Sequence, residues 1–450
     1  MADKYRVVVC GAGITGVSAA YYLAQAGIRD ILLVDEVSPL SLTSDRSTEC
    51  YRNWWSDPAL RALIDRSIDG MERIAAVSGN LIRLNRRGYL YVSADPDNSQ
   101  TLIRSAESIS RAGAGPLRVH STPDSNYMPS GHRGFTEEPD GADLLLGAGL
   151  ISKHFPYLTE SAVAALHVRR AGWLSAQQLG MYLFERARDL GTTFKSGHVD
   201  AVHIANGRVA GVTFMTGERI DCDLFVNAAG PYFKEVGALC GIDLPVHTEL
   251  HLKLAFEDSR RVIDRDAPLL IWSDPLVLPW QEEERAMLNS DPETRWMAGV
   301  LPGGAHTRPE GGADAGTTLM LWDYKTRALD PVFPPPLDEQ YPEVVLRGLS
   351  VMLPGLAAYF GRATRPRLDG GYYVKTPENR PLVGPTPVEG AYLIGAVSGY
   401  GIMSACGAGE LLATHIIGSR LPPYADAFCL ARYEDPEYVG RLERLETGEL

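Results

Sequence analysis

The chain is expected to form an α/β fold in which a parallel-sheet unit, laid down in separate pieces, is interleaved with a mostly antiparallel α+β unit. Three observations carry this. A buried strand, a glycine turn and a helix follow one another within the first 36 residues. A second strand, glycine turn and helix return after Gly370. Between roughly 246 and 365 the composition shifts: prolines multiply, Glu282-Glu283-Glu284 forms an acidic cluster, and short strands alternate with turns.

Residues 6–10 read as a fully buried parallel strand, because Val7, Val8 and Val9 are β-branched and no polar residue interrupts them. Residues 17–26, rich in Ala, read as a helix that Gly27 caps. Residues 31–34 are the second buried strand, closed by Asp35 and Glu36. Loop and helix fill 38–79, and 88–92 is strand-like. The stretch 94–142 is polar, with helical patches such as 102–112. An amphipathic helix (Leu179, Leu183, Ala187) occupies 172–191 and leads into Thr193 and Phe194; strands recur at 201–204, 209–214 and 224–228. The expected division is 1–85, 150–245 and 366–430 for the nucleotide-binding unit, 86–149 and 246–365 for the substrate unit, and a C-terminal tail over 431–450.

With 450 residues the chain is long enough for two or three domains. A net charge of −13, with no basic cluster to offset it, argues against a nucleic-acid partner and against docking to an anionic membrane. The six cysteines are scattered, with no C-x-x-C pair and no metal-ligand spacing, so no metal is expected and the thiols read as reduced and buried. No run is apolar enough for a membrane span, and the N-terminus lacks a signal-peptide pattern; a cytoplasmic setting is the expectation.

Five segments bear on a cofactor. In Gly11-Ala12-Gly13-Ile14-Thr15-Gly16, the first glycine permits a tight turn, the second lets the backbone approach a pyrophosphate, and the third lets helix pack on strand. Phosphates then meet free N–H groups at a helix N-terminus. Asp35, 22 residues past Gly13, is placed to hold ribose hydroxyls and disfavours a 2′-phosphate. This is a Rossmann-like pattern. The second segment, 41–55, offers hydroxyl residues with Arg46 and Arg52 as donors to phosphate and ring carbonyls; a helix N-cap with solvated arginines is the plainer alternative. The third, Asp223 through Pro231, is a buried strand ending in small residues. The fourth, 376–384, is a turn feeding a strand, and the fifth, 392–403, is a strand, glycine turn and helix start. A second such unit this late suits a flavoprotein better than a nicotinamide dehydrogenase, since a helix N-terminus can stabilise negative charge developing on a reduced flavin.

Four stretches, VVVCGAGITGVSAAYYLAQAGIRDILLVDE, VNAAGPY, TPENRPLVGP and IGAVSGYGIMSACGAGELLA, resemble the D-amino-acid-oxidase-type FAD-dependent oxidoreductases. Within them the chain is most similar to the sarcosine and glycine oxidase and dehydrogenase branch, as is His306 through Gly311 followed by Leu319 through Trp322. The resemblance implies a Rossmann-like FAD-binding domain interleaved with a mostly antiparallel α+β substrate domain. It would place Gly11, Ala12, Gly13, Ile14, Thr15 and Gly16 at the pyrophosphate and Asp35 with Glu36 at the adenosine ribose. Ser44, Asp45, Arg46, Ser47 and Arg52 would line phosphates and ring, Val199 with Ala228, Ala229 and Gly230 the adenine side, and Gly399, Tyr400, Gly401, Ile402 and Met403 the pyrimidine end of the flavin.

Three departures follow from the same resemblance. Covalent members carry a cysteine where Gly371 or Tyr372 stands here, which favours non-covalent FAD, with Cys50 the alternative attachment point. Met403 replaces a lysine that binds substrate carboxylate in sarcosine-like members. Met320 falls nearest the register of a lysine that promotes reaction with oxygen, so the electron acceptor is oxygen or another carrier. The expected activity is oxidation of a small, secondary amine or amino acid by hydride transfer to flavin N5, giving an imine. Arg52, Tyr400, His251 and Trp322 are the leading substrate-pocket candidates, with Trp54, His306 and Lys375 beside them; each can equally be structural. His251 and Lys253 share one face of the alternating HLKLAF strand. The competing readings are oxidation of a hydroxy acid or other C–H donor on the same fold, and a flavoprotein subunit without catalysis of its own.

Overall fold

A computed structural model describes residues 4–131, 134–136, 138–312, 314–362 and 366–442. Two large sheets organise them. The first has eight strands, in the order Val199–Ala205, Arg208–Phe214, Arg219–Asn227, Lys4–Cys10, Ile31–Asp35 and Thr193–Ser196, with Ala391–Gly395 and Leu382–Pro385 branching from Arg219–Asn227. Its centre is parallel: Lys4–Cys10 lies between Ile31–Asp35 and Arg219–Asn227. Buried on both faces, these strands carry continuous apolar runs, as a parallel sheet requires. Helices Ile14–Gln25, Ala176–Asp189 and Gly401–Ile417 contribute to the core on one face, together with Pro58–Val77. Close helix contact depends on small residues: a Cβ at Gly409 would stand 2.3 Å from Ser18 Oγ. Asp57 caps Pro58–Val77 by accepting from the Ala59 and Leu60 N–H groups, and proline fills the first turn.

The second sheet has nine strands, in the order Arg367–Lys375, His247–Glu257, Thr317–Leu321, His306–Pro309, Leu269–Trp272, Tyr89–Ser93, Ala164–Val168, Ala142–Leu146 and Leu117–His120. It is antiparallel except where Leu269–Trp272 meets Tyr89–Ser93 and Leu117–His120 meets Ala142–Leu146. Register fixes two distinct faces, because directly opposed residues point the same way. The back face carries Leu254, Met320, Thr307, Leu270 and Leu90, and packs with helix Tyr341–Met352 into a second core. The front face carries Tyr373, Glu249, His251, Lys253, Leu321, His306, Ile271 and Tyr91.

Three features depart from the sequence expectation. Strands Ala164–Val168 and Arg367–Lys375, assigned above to the nucleotide-binding unit, belong to the second sheet. Arg367–Lys375 pairs with His247–Glu257 along its whole length, a long-range match that local pattern cannot reveal. Residues 431–442 are not a loose tail: Arg432 is buried against Glu378 at 2.7 Å, and Tyr433 and Tyr438 donate to the same carboxylate. Residues 443–450 lie outside the described residues.

Candidate functional site

A cleft opens at the carboxyl ends of the parallel strands. Its floor is the 11–16 turn. Gly11 has φ +109°, and a Cβ there would lie 2.2 Å from Ala228 O; a Cβ at Gly16 would lie 1.8 Å from Gly11 O. Only glycine fits either position, one for its left-handed backbone and both for the close approach. At Gly13 a Cβ would meet nothing nearer than Ser44 Oγ at 3.4 Å, so the glycine leaves space that belongs to the cleft. Helix Ile14–Gln25 starts there, with the Ile14 N–H donating to Ser44 Oγ at 2.9 Å. Asp35 lines the cleft and accepts from the Ala12 N–H at 2.7 Å and the Val37 N–H at 3.1 Å. Burial raises its pKa against the pull of those two hydrogen bonds.

The opposite wall is built by Tyr372, Tyr373 and Val374 and by the turn 395–399 that enters helix Gly401–Ile417. Ala396 (φ +52°) and Ser398 (φ +44°) hold left-handed conformations in that turn, strain that structures retain where geometry matters. Two helix N-termini thus face one elongated cleft. The arrangement fits FAD: one terminus for a pyrophosphate, one for the ring edge that gains negative charge on reduction, and Asp35 at the end suited to a ribose.

The expected cofactor residues separate cleanly. Gly11, Gly13, Ile14, Thr15, Asp35, Ser44, Ser47, Ala228, Ala229, Gly230, Gly399, Gly401 and Ile402 line the cleft. Ala12 and Gly16 shape the turn from behind. Five others turn away. Glu36 borders an adjoining surface hollow, which shares Val37, Ser38 and Ser41 with the cleft, and pairs with His198. Val199 is buried in the core behind the first sheet. Asp45 accepts from Gln177 at 2.7 Å and Arg46 pairs with Asp369 at 2.9 Å, both outside the cleft. Met403 is buried among the helices. Ser41 through Thr43 and Pro231, inside segments flagged from the sequence, also line it, whereas Leu40 and Tyr372 through Val374 lie outside every flagged segment.

Beside the cleft lies the front face of the second sheet. The cleft loop is tied to it: Lys253 Nζ donates to Ser47 O at 3.0 Å, and the buried Arg308 donates to Thr48 O at 2.9 Å and pairs with Glu49 at 3.2 Å. Arg52 follows this loop. It is only 5% exposed, its guanidinium lies 4.1 Å from the Trp55 ring and 5.7 Å from that of Tyr89, and its side chain has no hydrogen bond or ion pair to any described residue. Burial lowers the pKa of His306, whose Nδ1 donates to Gly304 O at 2.8 Å, leaving Nε2 as an acceptor. His251 stacks on the cleft residue Tyr373 (3.9 Å, 16°) and is held by Glu249 at 3.2 Å and Asp323 at 2.8 Å. Burial alone would lower its pKa, but the two carboxylates lift it to about 9. Lys375 pairs with Glu249 at 2.8 Å.

Three pocket candidates fall elsewhere. Trp322 faces the back: it is 1% exposed, a Cβ on Gly348 would stand 2.4 Å from its ring, and its indole N–H reaches Pro302 O and Gly303 O at 3.2 Å. Met320 shares that face, so Leu321 and Asp323 are the residues of this segment that look forward. Tyr400 points back from between Gly399 and Gly401, edge-on to Trp55 at 5.5 Å, with its hydroxyl on Asn379 O. Trp54 packs in the front-face cluster with Cys50 and Tyr89. The Cys50 thiol donates to Thr48 O at 3.1 Å, and burial pushes its pKa up. Among the described residues no cluster of His, Cys, Asp or Glu could hold a metal, and no helix is long and apolar enough to cross a membrane.

Comparison with known proteins agrees with this geometry. A family model described as FAD dependent oxidoreductase matches residues 6–415. Mitochondrial dimethylglycine dehydrogenase of Mus musculus is 23% identical over 438 residues, which cover 94% of this chain and 43% of that protein; the chain therefore spans less than half of this relative's length. Among solved structures, L-proline dehydrogenase from P. horikoshii is similar with a TM-score of 0.74 and 19% identity, over 96% of this chain and 99% of that one. Glycine oxidase from Geobacillus kaustophilus follows at 0.72 and 15%, over 95% and 98%. Iminodiacetate oxidase from Chelativorans sp. BNC1 gives 0.68 and 19%, over 94% and 98%. At these identities the structural likeness establishes the fold.

Proposed function

The chain belongs to the FAD-dependent oxidoreductase family, and from that premise we propose that it oxidises the carbon–nitrogen bond of a small amine or amino acid, secondary by its resemblance to the sarcosine group. The observation that carries the reading is Arg52: a guanidinium buried without a partner beside the cleft. Burying an unpaired ion costs several kcal/mol, so a fold that keeps one reserves it for an anion that arrives later. A planar, bidentate donor suits a carboxylate, and stacking on Trp55 fixes its plane.

Bound FAD supplies the two-electron acceptor for the substrate C–H bond. The protein's part is to hold and prepare the substrate. Arg52 takes the carboxylate, Tyr91 and Ile271 give the front face an apolar floor, and Tyr373 separates the floor from the cofactor cleft. His306, neutral and with Nε2 open, accepts the proton that an ammonium must lose before its carbon can be oxidised. The cofactor is held non-covalently: Gly371 and Tyr372 offer no thiol, and Cys50 is turned toward Thr48 rather than the cleft.

The test is the visible spectrum of the purified protein, acid precipitation, and anaerobic bleaching by a panel of amines, amino acids and hydroxy acids. The expected result is yellow colour that stays in the supernatant and bleaching by an amino acid. Bleaching by hydroxy acids alone overturns the amine reading, and colour in the pellet overturns non-covalent attachment.

A further inference from the structure

Resting on the amine-oxidation reading above, we infer that Asp323 receives the charged amino group of the substrate, opposite the anion site at Arg52, so that the front face selects a zwitterion over a simple acid or a simple amine. Its contact with His251 puts Asp323 there. His306 is paired with Leu321, the last residue of its strand, and Asp323, two residues on, meets front-face His251 at 2.8 Å. Arg52 lies on the other side of the His306 strand in the sheet order, its guanidinium 5.7 Å from the ring of front-face Tyr89.

Asp323 keeps 34% of its side chain accessible, while its partners Glu249, His251 and Lys375 keep 14%, 4% and 9%. Three members of the quartet are closed off and one looks into open space. The His251 Nδ1 approaches Asp323 Oδ1 to 2.8 Å, off the line of a hydrogen bond, so it fixes the carboxylate without saturating it. Burial works against the charged form of Asp323, but the imidazolium of His251 holds it below the ordinary carboxylate range. Two carboxylates and two cations leave the quartet neutral, so Asp323 does not serve to neutralise Arg52. Glu249, stacked behind His251 and tied to Lys375, holds the imidazole in place. Arg52 alone would accept any acid. An anionic oxygen on the far side of His306 repels a second carboxylate and rewards a positive nitrogen.

The test uses the holoenzyme and calorimetric titration with two inert probes of equal shape, trimethylglycine and its uncharged carbon isostere 3,3-dimethylbutanoate. The wild type is expected to prefer trimethylglycine by at least about tenfold. Asp323→Asn should equalise the two while leaving affinity for the isostere within about twofold. His251→Gln, which would erase the preference if Asp323 were only part of a structural cluster, should keep it. FAD content and thermal unfolding of each variant report its folding. A wild type that does not discriminate, or an Asp323→Asn variant that still does, overturns the inference. If the wild type binds neither probe and no amine bleaches it, the amine-oxidation reading fails instead.

Discussion

Replacing Arg52 by Met should make the protein more stable and much less active. Arg52 is 5% exposed, its Nε is fully enclosed without an acceptor, and the ring faces of Trp55 and Tyr89 lie against its guanidinium. An unpaired buried ion costs several kcal/mol. Stacking over Trp55 returns about 1–2 kcal/mol. Methionine keeps an unbranched stem of similar bulk and adapts to the site, so about 1–3 kcal/mol of stability should be gained. In a chain this long that raises Tm by a few °C, at roughly 1–2 °C per kcal/mol. Loss of a bidentate hold on the substrate carboxylate should lower kcat/KM about 10²–10³-fold. The control is Arg432→Met. Arg432 is also buried but pairs with Glu378 at 2.7 Å, so removing it strands a carboxylate and should cost about 3–5 kcal/mol. Thermal unfolding at a fixed scan rate and anaerobic bleaching kinetics give both numbers. If Arg52→Met lowers Tm as Arg432→Met does and leaves kcat/KM unchanged, Arg52 is structural and the substrate reading loses its support.

Gly16→Ala should abolish FAD binding, since its Cβ would sit 1.8 Å from Gly11 O; a variant that purifies with stoichiometric flavin would refute the turn's role. Trp322→Ala should cost about 3–5 kcal/mol as a core deletion while leaving KM unchanged, whereas a raised KM with intact stability would return Trp322 to the pocket. His251 titrates near 9 in the fold against 6.5 in an unfolded chain, so its contribution is complete below about pH 6.5 and is lost as pH rises through 9. The loss is at most about 3 kcal/mol, and urea midpoints measured from pH 6 to 10 should flatten in His251→Gln. Cys50→Ser should keep full flavin content and leave the colour acid-soluble; colourless protein would point to a role for the thiol at the cofactor.

Legibility in the sequence tracked how local the constraint was. The 11–16 turn was readable because sterics at Gly11 and Gly16 admit one residue type, and Asp35 because strand length fixes its distance. The shared face of His251 and Lys253 was readable from alternation alone. Tyr400 and Met403 were misplaced by a single residue of rotation, since Gly399, Gly401 and Ile402 beside them do line the cleft. Trp322 was misplaced because nothing local tells which face of a strand buried on both sides looks inward. Asp323 carried no pattern; only pairing with His251 across the sheet gives it a role. The second sheet recruits 164–168 and 367–375 from distant parts of the chain, and such pairings leave no local trace.

The alternation that hid these residues also separates two kinds of change. Along His306–Pro309 and Thr317–Leu321, residues on the front face alternate with residues on the face that packs with helix Tyr341–Met352. On the proposed function, substitutions confined to 306 and 321 would vary what is accepted while the hydrophobic volume behind the strands stays constant. Such a library can be wide in chemistry yet narrow in its spread of melting temperatures, and that makes this wall a place where new substrate preferences can be acquired without first rebuilding the protein that carries them.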